Sequence, residues 1–178
     1  MAALAALIIG AFAAYNMFAG REDSALVLPA GNGGAAGIRL RAPDFAMTNR
    51  DGESVTLSGI IDGGKPVVLN FWASWCPACR NESPVFQKVF EDIGSEVKFV
   101  KLNLVDGARE TVASGKRYID DGGFTFPVYF DTKQEGLFAY GIRSIPATFF
   151  IDRDGYIVTR WQGSVNEAAL RMGIDLIR

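Results

Sequence analysis

The chain of 178 residues contains no histidine and only two cysteines, Cys76 and Cys79. Without an imidazole there is no Ser-His-Asp or Cys-His nucleophile, and a metal site loses its commonest ligand. Two thiolates fall short of the four ligands of a structural zinc site, and Arg80 stands where a c-type haem attachment requires His. An excess of charge of one sign is also missing. Lys and Arg total 18 against 20 Asp and Glu, so no basic field is available to hold a nucleic-acid backbone. What survives these exclusions is chemistry that two thiols perform by themselves.

Hydrophobic content of 49% is enough for one well-packed domain with an appendage. From Met1 to Gly20 there is no charged side chain, and Arg21-Glu22-Asp23 ends the apolar run. Residues 1–20 read as a transmembrane signal anchor, with a cleaved signal peptide ending in the small-residue pattern Ala11-Phe12-Ala13 as the competing reading. Either one exports the remainder. Residues 21–41, rich in glycine and without periodicity, read as a flexible linker, and the folded domain spans 42–178. It should open with a hairpin, Phe45 to Thr48 and Ser54 to Leu57, around the turn Asn49-Arg50-Asp51-Gly52. Val67 to Trp72 is a continuous β-branched and aromatic run of the kind found in a central strand, and the apolar spacing Val85, Phe86, Val89, Phe90, Ile93 predicts an amphipathic helix ending at Gly94. Strands over Val97 to Leu104, Phe126 to Phe130, Ala147 to Ile151 and Tyr156 to Trp161 follow, with helices over Glu110 to Asp121, Gln134 to Tyr140 and Asn166 to Ile177. The alternation predicts an α/β domain with a mixed sheet.

The segment Trp75-Cys76-Pro77-Ala78-Cys79 sets the thiols at a strand-to-helix junction. At the helix N-terminus the free backbone N–H groups and the helix dipole favour a thiolate on Cys76, and Pro77 suits the first helical position because it has no N–H to leave unpaired. Cys79, one turn on, lies on the same face and under cover. The expected division is that Cys76 attacks a partner disulfide and Cys79 resolves the mixed disulfide. A purely structural disulfide is the bland alternative, but so short a loop restrains little chain entropy.

Val67 to Cys79 resembles the active-site strand and helix start of thioredoxins, Val100-Lys101-Leu102-Asn103 their next strand, and Tyr140 to Thr148 the segment that carries their cis-proline. Within that superfamily the chain is similar to the TlpA/ResA-like membrane-anchored thiol-disulfide oxidoreductases, on Ala42-Pro43-Asp44-Phe45, on Cys79 to Pro84, and on a stretch from about Asp106 to Phe130 at the position of their insert. The resemblance implies a thioredoxin fold, a central mixed sheet flanked by helices, with an N-terminal β-hairpin and a central strand-helix insert. It makes Pro146 the cis-proline, leaves the Ile145 backbone open to a substrate strand, and puts Trp75 on the docking surface and Trp72 over the disulfide. It implies no cofactor beyond the redox-active Cys76–Cys79 disulfide and no metal. The implied partners are protein thiols and disulfides, such as apocytochrome c or methionine sulfoxide reductase, with a CcdA/DsbD-like membrane thiol transporter as electron donor. The domain is then a monomer outside the cytoplasmic membrane, tethered by a single pass.

Departures qualify the likeness. Asn70 stands where thioredoxins bury an aspartate and cannot accept a proton. Lys101 is then either a tuning charge or a strand-edge charge, Glu82 reads as a proton relay through water or, more commonly at such a position, as a solvent-facing acid, and Pro84 is expected to kink the helix by removing an internal hydrogen bond. Pro77-Ala78 replaces the family's glutamate between the cysteines, so the redox poise does not carry over. The leading expectation is a reductase of exported protein disulfides; a disulfide-forming oxidase and a dithiol module for copper(I) are the alternatives. A peroxiredoxin requires a threonine where Ala73 stands.

Overall fold

The computed structural model describes residues 40–178, so the expected anchor and the linker as far as residue 39 lie outside the described residues. Among the described residues no helix is long and apolar enough to cross a membrane. Eight strands form one mixed sheet in the order β1-β8-β7-β4-β5-β6-β2-β3. The strands are β1 (Leu40–Arg41), β2 (Ala46–Thr48), β3 (Ser54–Thr56), β4 (Val67–Trp72), β5 (Lys98–Asn103), β6 (Val128–Phe130), β7 (Ala147–Ile151) and β8 (Tyr156–Gln162). The helices are α1 (Leu57–Ile61), α2 (Pro77–Ile93), α3 (Val112–Asp121), α4 (Glu135–Ala139) and α5 (Glu167–Asp175).

β4 is buried along its whole length, parallel to β5 and antiparallel to β7. Strand alternation sends Val67, Leu69 and Phe71 to a core with Leu57, Val100, Leu102 and Phe149, and Val68 and Trp72 to a second core with Phe86, Val89, Ile119 and Leu170. The second core lies under α2, α3 and α5, and each fully buried large side chain there is worth about 1.5–3 kcal/mol relative to exposure. α5 approaches β7 closely at Gly173, where an added Cβ would lie 2.3 Å from the Phe150 ring.

The expected fold is present, including the entry hairpin β2–β3 and the insert with α3 and β6. Three details depart from the sequence reading. The end of the expected linker forms β1, pairing Leu40 with Ile157 and Arg41 with Tyr156. Leu57 leaves the hairpin and starts α1, because the Thr56 hydroxyl accepts from Gly59 N at 3.1 Å and Asp44 accepts from Ser58 N at 2.8 Å, a capping arrangement that turns the chain into a helix. α3 starts at Val112 rather than Glu110, since Thr111 and Ser114 close a capping box and Glu110 turns inward.

Candidate active site

Cys76 is the N-cap of α2, with extended backbone, and Pro77 occupies the first helical turn. The structure shows Cys76 and Cys79 joined as a disulfide with Cα atoms 5.3 Å apart. Cys79 N–H donates to Cys76 Sγ at 3.2 Å, the orphan donor of a helix N-terminus directed at the sulfur. Cys76 is 4% exposed and Cys79 is fully covered. Arg80 N–H donates to the Cys76 carbonyl, and Ser83 Oγ donates to the Cys79 carbonyl at 2.9 Å. Pro84 sits inside α2 as expected; the Arg80 carbonyl, without a helical donor four residues on, receives a long hydrogen bond from Tyr118 at 3.5 Å.

The Ile145–Pro146 peptide bond is cis, and the Ile145 carbonyl oxygen lies 3.8 Å from Cys76 Sγ. The loop is tied back by Gln162, whose Nε2 donates to the carbonyls of Ser144 and Pro146, and by Gly163 N–H donating to Pro146 O at 2.9 Å. In front of the sulfur opens a groove of about 500 Å³ lined by Trp75, Pro77, Leu137, Ile142 and Ile145 among others. Trp75 is 43% exposed, and the Arg109 guanidinium stacks over its ring at 4.3 Å. Trp72 is buried against Tyr118 in the same core as both cysteines.

Behind the disulfide, three adjacent strands present polar side chains on the α2 face. Asn70 pairs in register with Lys101 on one side and Thr148 on the other, and all three are buried. Lys101 Nζ donates to Asn70 Oδ1 at 2.6 Å, and Asn70 Nδ2 donates to Thr148 Oγ1 and to Glu82 Oε1, each at 2.9 Å. Glu82 Oε2 accepts from Val165 N–H at 3.0 Å, and Lys101 Nζ stands 3.7 Å from Glu82 Oε1 and 3.9 Å from the Phe86 ring centroid. This arrangement overturns one expectation and decides between two readings of another residue. Glu82 does not face solvent, because α2 lies on the sheet with that face inward, and Lys101 is not a strand-edge charge, because β5 is an interior strand. Burial raises the Glu82 carboxyl above its ordinary value, opposed by the Lys101 charge, and lowers Lys101 to about 8, opposed by Glu82. Asn70 takes no proton itself but links the two groups that titrate.

A second residue was missed from sequence. Glu110, fully buried in the insert, accepts from Ser74 N–H at 3.0 Å, from Ser74 Oγ at 2.7 Å and from Asn103 Nδ2 at 2.7 Å. It thereby pins the loop two residues before Cys76. Its only sequence signal is a glutamate just ahead of the Thr111 cap, which reads equally well as a solvent-facing first-turn acid. Among the described residues no group of three or more metal-ligating side chains comes together.

Residues 38–160 match the AhpC/TSA family. The chain is 32% identical over 139 residues to the thiol-disulfide oxidoreductase ResA of Halalkalibacterium halodurans, covering 78% of this chain and 76% of that one. Among solved structures it resembles a thiol:disulfide interchange protein DsbE of Chlorobium tepidum, with TM-score 0.69, 28% identity, and 79% of this chain and 97% of the other covered. It also resembles StoA of Bacillus subtilis, with TM-score 0.63, 30% identity, and 74% and 96% covered. The chain belongs to the AhpC/TSA family and is a thiol-disulfide oxidoreductase of the ResA, StoA and DsbE kind.

Proposed function

We propose that this member of the AhpC/TSA family is an extracytoplasmic reductase of protein disulfides, working through Cys76 and Cys79 with no other cofactor. The observation that carries the reading is the Cys76–Cys79 pair at the head of α2, facing the Ile145 carbonyl across an open groove. In the reduced state the Cys76 thiolate attacks one sulfur of a partner disulfide. The partner's S–S bond breaks, its second sulfur leaves as a thiolate, and Cys76 is joined to the partner. Cys79 loses its proton and attacks Cys76 Sγ, which expels the partner's remaining thiol and closes the Cys76–Cys79 bond, so two electrons have passed to the partner. Glu82, one helical turn beyond Cys79, is the base on that buried side; burial raises its carboxyl, and Lys101 and Asn70 oppose that rise. Trp75, Pro77, Ile145 and Pro146 receive the partner chain.

Residues 1–20 serve as the membrane anchor in this reading, and a membrane thiol transporter of the CcdA/DsbD kind returns electrons to the disulfide. Apocytochrome c and methionine sulfoxide reductase are the classes of acceptor. Support comes from the apolar N-terminal run and from relatives that bear the ResA name. The test is the equilibrium reduction potential of the full chain against a glutathione or dithiothreitol couple, read by tryptophan fluorescence. A value near or below about −270 mV agrees with electron donation, whereas one near about −120 mV makes the protein a disulfide-forming oxidase. With Cys79→Ser, a mixed disulfide to the partner should accumulate; Cys76→Ser should form none.

A further inference from the structure

The groove that holds Cys76 is apolar at its floor and cationic at its edge. Arg109 and Arg143 both line it, and a second depression of about 620 Å³, which Ser74 helps to line, is bordered by Arg80 and Arg117. All four arginines are exposed. The acids lining these two depressions are Asp106 and Asp121. Asp106 is already engaged, accepting from Ala108 and Glu110 N–H and lying 3.5 Å from Arg109. The carboxylate of Glu110 is buried behind the loop and taken up by Ser74 and Asn103. Arg80, Arg117 and Arg143 have no ion pair among the described residues, a state they share with Arg41, Arg153 and Arg160 elsewhere, so what marks the rim is the gathering of four arginines around the reactive sulfur. A chain of net charge −2 therefore presents a locally positive face around its reactive sulfur.

We propose that this arginine rim is a docking surface for acidic polypeptide segments, so that the preferred substrates carry Asp or Glu beside the reacting sulfur. The proposal rests on the dithiol reading above and adds the substrate class to it. Arg143 lies two residues before Ile145, where a substrate strand would run, and Arg109 is held over Trp75 in the same groove, so a bound segment meets two guanidinium groups close to Cys76. A guanidinium presents a planar fork of donors that matches a carboxylate, and one already stacked on an aromatic ring loses less freedom on binding. Because the rim is exposed, its effect falls mainly on the encounter rate and weakens with salt.

The test uses the reduced full chain and three synthetic peptides with a central cysteine blocked as a 2-pyridyl disulfide and flanked by Glu, Gln or Lys. Cys76 attacks the peptide sulfur and releases 2-thiopyridone, whose absorbance gives the second-order rate; Cys79 then releases the peptide thiol. At low ionic strength the Glu peptide should react about 10-fold faster than the Lys peptide, with Gln between them, and the gap should narrow as salt is raised. Arg143→Glu should reverse the order, and Arg143→Gln should shrink the Glu-to-Lys ratio. Because the readout is a ratio, a change in Cys76 reactivity common to all peptides cancels. Equal rates for the three peptides, or a ratio untouched by charge reversal, overturn the proposal while leaving the dithiol reading intact. If no peptide reacts, both fall. Protection of the dithiol by anionic lipid vesicles without discrimination among peptides assigns the rim to a membrane surface and likewise overturns it.

Discussion

The two sides of the Cys76–Cys79 disulfide use charge in opposite ways. Behind it, Lys101 and Glu82 are taken fully out of water, and every charge is matched by geometry: Asn70 bridges them, Thr148 and Val165 fill the remaining positions, and the Phe86 ring faces the ammonium. In front of it, Arg109 and Arg143 stand in solvent around Trp75. A buried ion pair costs desolvation that its own attraction barely offsets, so removing one member leaves an expensive orphan; an exposed arginine costs almost nothing to keep or lose. On the proposed reading the back sets protonation while its matched charges hold the fold together, and the front serves recognition.

The sharpest break of this contrast is at Glu82. Glu82→Ala leaves the Lys101 ammonium buried without its counter-charge and should lower unfolding free energy by about 3–5 kcal/mol, measured by urea denaturation. Glu82→Gln keeps one of the two accepted hydrogen bonds, from Asn70 or from Val165, and sets its NH2 against the other donor, so it should cost less than the alanine variant but not be neutral. A loss under about 1 kcal/mol for Glu82→Ala would mean that the back side is not a tight ion-pair site.

Glu110 comes next, since it joins the two regions by fastening the front loop from behind. Glu110→Ala leaves the buried Asn103 donor and the half-buried Ser74 donors without their acceptor and should cost about 1–3 kcal/mol. As a positioning residue it should also slow disulfide exchange at Cys76 while Glu110→Gln, which retains an acceptor, restores part of the rate. A normal exchange rate in a destabilised Glu110→Ala protein would show that the pin is structural only.

How far the site was legible follows the same division. The strand Val67–Trp72 and the N-capped Cys76 carry their identity in local pattern, because burial on both faces and the helix start are each written within a few residues; the cis peptide at Ile145–Pro146 was legible only through the resemblance of Tyr140 to Thr148 to the thioredoxin segment. Glu82 and Glu110 are not, because a glutamate in a helix or just before one faces water far more often than core, and only the docking of α2 on β4 and of the insert on the Ser74 loop turns them inward. Lys101 was ambiguous for a related reason: whether β5 is an edge depends on β6, which the insert contributes. The short β1 and α1 were missed because two paired residues and one Thr56 cap leave almost no periodic signal.

The back side should also be visible in pH dependence. Unfolded, Lys101 keeps its proton up to the ordinary value of 10.5; folded, burial releases it near 8. Between those values the unfolded chain binds more protons, so stability rises with pH across that window. For Glu82 the folded pKa is the higher one, so its contribution is greatest below 4.5 and is lost as pH rises through the folded value. The two groups act in opposite directions: Glu82 contributes a falling limb as pH rises above 4.5, and Lys101 a rising limb between about 8 and 10.5. The upper limb, about 3 kcal/mol at full amplitude, should vanish from urea denaturation curves of Lys101→Met compared with the wild type between about pH 8 and 10.5; a limb that persists in the variant belongs to another group.

The smallest change in stability belongs to the front. Trp75 is nearly half exposed, and its principal partner, Arg109, has a side chain 70% exposed. Trp75→Ala removes one solvent-facing cation–π contact and no buried hydrogen bond, so unfolding free energy should move by less than about 0.5 kcal/mol. Its effect belongs instead to docking: with a protein disulfide as substrate, kcat/KM should fall several-fold, carried by KM, because a flat aromatic beside Cys76 holds the partner chain before exchange and not after it. If Trp75→Ala instead destabilises the fold as strongly as Glu82→Ala, the front side is built like the back and the division between a recognising face and a tuning face does not hold.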